Sequence, residues 1–151
     1  MDRNPAHVSF LPDPFIPAWH PPRTTRTRAA SARTEEAARF GGGTPNSLRD
    51  EQLARIVAAL GARFRLIAET ERLIECDPRR TSATQLDALR AMAFEHVRFG
   101  MADFAVDVQR AAGRVQSSAM MRDACGTARA AGFVTVGIDM VYGLPGQTEP
   151  G

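Results

Sequence analysis

Residues 134–142 constrain the fold more than any other stretch. Val134, Val136, Ile138, Met140 and Tyr142 fall on one side of an alternating run, and Thr135, Gly137, Asp139 and Val141 on the other. A period of two is that of a strand. Gly143-Leu144-Pro145-Gly146 ends it in a turn, and Phe133 and Gly132 precede it, where a helical pattern over residues 117–131 closes. The same succession repeats upstream. Leu53, Ile56, Val57 and Leu60 form a helical stripe, opened by Asn46 or Ser47 with Asp50 three positions after Ser47, and ended by Gly61. Residues 73–76 read as a short strand stopped by Asp77-Pro78. Thr81 or Ser82 then caps a helix carrying Leu86, Leu89 and Met92, residues 97–101 read as a second strand, and residues 103–112 as a weak helix. Three strands alternating with helices of ~10–15 residues predict βαβ units, a parallel sheet and the α/β class.

Residues 1–39 are of a different kind. They hold Pro5, Pro12, Pro14, Pro17, Pro21 and Pro22, six of the ten prolines, followed by Arg23, Arg26, Arg28 and Arg33. Proline fixes φ and has no amide donor, so regular elements up to Pro22 are not expected. This segment reads as a disordered or non-homologous leader before a domain over residues 40–151. Val8, Phe10, Phe15, Ile16 and Trp19 give it the means to dock as an extended arm.

Composition excludes several classes. No run approaches the ~20 apolar residues of a membrane span. Cys76 and Cys125 make no disulfide framework, so a cytoplasmic location is expected. A net charge of +2 is too small to point to nucleic acid. All 19 basic residues are arginine, scattered through every segment, which reads as codon bias rather than as a phosphate-gripping patch.

The residues that can carry chemistry sit where loops leave strand ends, the place where barrels and open α/β sheets put their sites. Gly41-Gly42-Gly43-Thr44-Pro45 removes every Cβ from a loop, so backbone can approach a ligand closely; a tight strand-to-helix turn is the plainer reading. Glu75 is an acid among apolar strand residues, and is either a carboxylate solvated in a cleft or an edge-strand acid facing water. Asp139 lies on the polar side of residues 134–142, near their end. It reads as an acceptor for ribose hydroxyls in preference to a cap on the Gly-Leu-Pro-Gly turn. Arg114, between two helices, can clamp a carboxylate or simply face solvent. His96 reads as structural or exposed, and Cys125 as a small core residue.

In order and spacing these pieces resemble the oxygen-independent coproporphyrinogen III oxidases, radical S-adenosylmethionine enzymes of heme synthesis. The resemblance covers about residues 40–149. It rests on Gly41-Gly42-Gly43-Thr44-Pro45, on Glu75, Asp77, Pro78 and Arg79, on Gly100, Asp103 and Phe104, on Arg114 and Gln116, and on the run from Ile138 to Thr148. It implies part of a radical S-adenosylmethionine (β/α) barrel with parallel strands. It also implies an S-adenosylmethionine site in which Gly42, Gly43 and Thr44 lie along the methionyl part. Glu75, Arg114 and Asp139 would supply contacts to its amino, carboxylate and ribose groups. The implied reaction is radical oxidative decarboxylation of porphyrinogen propionates to vinyl groups.

The chain departs from the family in three places. Ala102 stands where the family has glutamine. Glu95-His96-Val97-Arg98 stands where it has Asn-Arg-x-Ser. No C-x-x-x-C-x-x-C run is present to hold a 4Fe-4S cluster. The 151 residues are therefore expected to be inactive alone. The alternative is a non-enzymatic remnant or interaction module of a radical S-adenosylmethionine or heme-chaperone-like protein, paired with a complementing chain. A plain, unrelated nucleotide-binding domain is the third reading.

Overall fold

The computed structural model describes residues 37–64, 66, 67 and 69–148. Four strands, β1 (Ala37–Phe40), β2 (Glu71–Cys76), β3 (His96–Met101) and β4 (Thr135–Met140), make one parallel sheet in the order β1-β2-β3-β4. The connections hold α1 (Asp50–Arg63), α2 (Ala83–Ala91), α3 (Val106–Ala111) and α4 (Ser118–Ala130), with 3-10 turns at Pro45–Ser47 and Pro78–Arg80. Each strand is added beside the last and the order never reverses. A doubly wound sheet would reverse and carry helices on both faces. Here α1, α2 and α4 all pack on one face, so the chain forms part of a (β/α) barrel.

Strand register explains that face. Ile74 is opposite Val97 and Cys76 opposite Phe99, so the alternate residues of β2 and β3 project together. With Met101 they meet Leu53 of α1, Leu86 and Leu89 of α2, and Met121 and Ala128 of α4, all buried. Phe94, fully buried before β3, sets its ring edge-on to Phe40 at 4.8 Å between centroids. Ser82 and Ser117 cap α2 and α4 by accepting from the amides of Gln85 and Met120. Gly132, at φ 85°, follows the end of α4.

Five details differ from the sequence reading. The sheet has a strand not anticipated, β1, which takes in Ala37–Arg39 from the segment assigned to the leader. Its four residues include two alanines, which carry no strand signal. Residues 1–36, with the proposed docking arm, lie outside the described residues. Helix α1 starts after Arg49, whose amide donates to Gln52 Oε1, and not after Asn46 or Ser47. It also runs through Gly61, since Phe64 N still donates to Leu60 O at 2.7 Å. Its stripe is only half used: Leu53 is buried, while Ile56 is exposed. On β4, only Val136 packs against the core, and Val134, Ile138, Met140 and Tyr142 are exposed. β4 is the last strand of the described sheet, so nothing described covers its far side.

No described helix is long and apolar enough to cross a membrane. Phe94→Ala removes a fully buried ring from the core, and is expected to lower unfolding stability by about 3–5 kcal/mol in urea titrations. A loss below about 1 kcal/mol would contradict this packing.

Candidate functional site

Strand residues that alternate away from the helices form a polar face. Glu75 on β2 stands beside Arg98 on β3, which stands beside Gly137 on β4; one step further along, Gly100 stands beside Asp139. Glu75 is therefore on an interior strand, which removes the edge-strand reading. The glycine loop lies directly over it. A Cβ on Gly41 would fall 2.4 Å from Glu75 Oε1, so glycine is required for that approach. Gly42 N donates to Glu75 Oε2 across a long 3.4 Å. Gly42 and Gly43 turn the chain at φ 76° and 121°, where only glycine is unstrained, and Thr44 then leads into the 3-10 turn.

Arg114 and Asp139 each lie beside Gly100, near the end of β3. Arg114 Nη2 donates to Gly100 O at 3.0 Å, and its buried Nε has no hydrogen-bond partner among the described residues. A Cβ at position 100 would sit 3.1 Å from that Nη2, so Gly100 lets the guanidinium lie close over the strand. Asp139 does not cap the turn after β4. Gln147 does, accepting from Leu144 N at 2.8 Å and donating to Val141 O at 2.8 Å. Asp139 instead pairs with Arg98 at 3.0 Å. Arg98 thus links the two halves of the site, beside Glu75 and bonded to Asp139. The sequence reading passed over it, although strand alternation in residues 97–101 placed it on the same face as Gly100.

The loops are positioned by a buried polar network. Asp77 N donates to Asn46 Oδ1 at 2.9 Å, and Asn46 Nδ2 donates to Asp77 O at 3.2 Å. Arg79 clamps the Asp77 carboxylate through Nε and Nη2, the latter at 2.6 Å. Burial alone would raise the Asp77 carboxyl, but the hydrogen bonds and charge of Arg79, with Arg114 beyond, hold it below its ordinary value. Gln116, fully buried, donates from its side-chain Nε2 to Gly100 O at 3.1 Å and from its backbone N to Gln109 Oε1 at 2.9 Å. Gln147 Nε2 donates to Asp103 Oδ2 at 2.6 Å; that bond and the amide of Ala105 lower the Asp103 carboxyl.

The two cysteines lie elsewhere. Cys76 and Cys125 are buried in the helix-side core. Burial, with the negative charges of Asp77 and Glu75 behind it, pushes the Cys76 thiol up to about 12, which opposes the thiolate a metal needs. Neither cysteine fits an iron–sulfur cluster. A concavity of roughly 460 Å³ is also on the helix side, between Phe104, Met121, Cys125 and Ile138. Its exposed wall is mostly apolar, with Ser118, Arg122 and Arg129 at its sides and no acidic group in its lining, so the polar face, with both acids and guanidinia, is the better candidate for a ligand.

A parallel βα sheet whose strand order never reverses is part of a (β/α) barrel, and comparison with known proteins agrees with that fold. Residues 21–150 match the radical SAM superfamily, and the chain belongs to that family. Relatives within it include oxygen-independent coproporphyrinogen III oxidases. That of Escherichia coli K12 is 35% identical over 136 residues, 90% of this chain. That of Salmonella typhimurium is 38% identical over 109 residues, 72% of this chain. The chain spans 30% and 24% of their lengths. The solved structure of coproporphyrinogen III oxidase from Escherichia coli, described as a radical SAM enzyme, aligns with a TM-score of 0.69 at 38% identity. That alignment covers 75% of this chain and 26% of the other.

A carboxyl lowered by folding contributes stability above its ordinary value near 4, and that contribution is lost as pH falls through the folded value. The urea midpoint is therefore expected to fall between about pH 5 and pH 3, and to fall less in Asp77→Asn, which starts from a lower midpoint. Parallel curves for the two proteins would show that Asp77 does not carry this dependence.

Proposed function

We propose that the polar face is the S-adenosylmethionine half-site of an oxygen-independent coproporphyrinogen III oxidase, and that the 151 residues bind this cofactor without performing the decarboxylation alone. The observation that carries the reading is the convergence of Glu75, beneath the glycine loop, with Arg114 and Asp139 at Gly100. The groups suit the ligand. Gly42, Gly43 and Thr44 offer close-approaching backbone along the methionyl chain. Glu75, Arg114 and Asp139 supply an acceptor for its ammonium, donors for its carboxylate and an acceptor for its ribose hydroxyls. The Nε of Arg114 adds a donor that no described residue uses.

With the family's cluster, this cofactor supplies hydrogen abstraction from a porphyrinogen propionate. That chemistry needs an electron from the cluster. Cys76 and Cys125 cannot ligate one from the core, so the residues of this chain account for binding and orientation. The reading in which a separate chain provides the cluster is favoured by one observation: the apolar side of β4 is exposed at Val134, Ile138, Met140 and Tyr142.

Calorimetric titration of S-adenosylmethionine into the purified protein is expected to show one site. Asp139→Ala is expected to weaken it by about 10-fold or more, the size of a lost hydrogen bond to a charged group. Absence of binding by the folded protein, or equal affinity in the variant, would remove the reading. Gly41→Ala is expected to displace the Glu75 carboxylate and weaken the same binding, with near-normal urea stability because only a flexible side chain must move.

A further inference from the structure

Among the described residues, Arg98 is a charged group at the centre of the polar face that the roles above leave unused. Gly137 beside it presents no side chain, so the arginine stem crosses β4 and its Nη1 meets Asp139 Oδ1 at 3.0 Å. Both side chains are nearly half exposed, at 46% and 45%, so the pair is solvated and weak enough for a ligand to open. Glu75 and Asp139 bring two negative charges to the strand ends; Arg98 and Arg114 bring two positive ones. Arg39 lies one row further back, beside Leu73. Within this set of four the charges balance, and Arg98 supplies half of the positive charge. Without Arg98 two carboxylates would face one guanidinium, a field that favours a cation.

We propose that Arg98 is a specificity-determining residue: by neutralising Asp139 inside the site, it disfavours the cationic sulfonium form of the ligand relative to the neutral thioether bearing the same nucleoside and amino-acid groups. The inference rests on the S-adenosylmethionine reading of the site. It is distinct from it, because a site can hold this ligand with no preference of charge. Arg98 competes with the ligand for Asp139 and repels a fixed positive charge brought near it. The thioether meets only the first effect, the sulfonium meets both.

The test is calorimetry with S-adenosylmethionine and S-adenosylhomocysteine against the unaltered protein, Arg98→Gln and Arg98→Lys, each checked for folding by circular dichroism. The ratio of the sulfonium Kd to the thioether Kd is expected to fall about threefold in Arg98→Gln and to stay unchanged in Arg98→Lys, which keeps the charge. The fall is expected to vanish near 1 M salt, where charges are screened within ~3 Å. If both ligands bind and the ratio is the same in all three proteins, the role of Arg98 is wrong and the site reading stands. If the folded proteins bind neither ligand, both are wrong.

Discussion

The structure depends on one buried carboxylate. Asp77, at the end of β2, is held by Arg79 through charge and by Asn46 through a reciprocal pair of hydrogen bonds to its backbone. That knot fastens the loop after β1 to the loop after β2. Gln116 extends it to Gly100 at the end of β3, and Gln147 ties the turn after β4 to Asp103. Parallel strands place all these loops at one edge of the sheet. Buried polar groups must be paired there, so the network fixes loop positions more tightly than apolar contacts would. The glycine loop, next to Asn46, and Arg114, which shares Gly100 O with Gln116, are anchored beside it.

Much of the fold was legible because it follows hydrophobic period. The alternation in residues 134–142 and the stripes of Leu86 and Leu89 each found their element. Where the reading failed, a tertiary interaction had overridden a local signal. Asn46 looks like a helix cap, yet its amide serves Asp77, thirty-one positions away. Gly61 looks like a helix stop, but no left-handed turn forms there and the helix continues to Arg63. β1 is a strand because Glu71–Ile74 pairs with it, not because Ala-Ala-Arg-Phe prefers to be one.

The site was legible only in part, for a related reason. Glu75, Arg114 and Asp139 could be placed at strand ends from motif order, but their neighbours depend on register. Nothing in the sequence says that Arg98 faces Glu75 on one side and reaches Asp139 on the other. Ala102 shows the converse. It is buried at the end of β3, where a small apolar side chain suits the core but offers a ligand no hydrogen bond.

The two faces of the sheet divide the work. One buries the hydrophobic core and both cysteines; the other carries the acids and guanidinia. The most direct discrimination is a map of amide resonances in 15N-labelled protein as S-adenosylmethionine is added. Shifts gathered at Gly41–Thr44, Glu75, Gly100, Arg114 and Asp139 are the predicted result. Shifts gathered instead at Phe104, Met121 and Cys125, around the helix-side groove, would contradict a ligand site on the polar face.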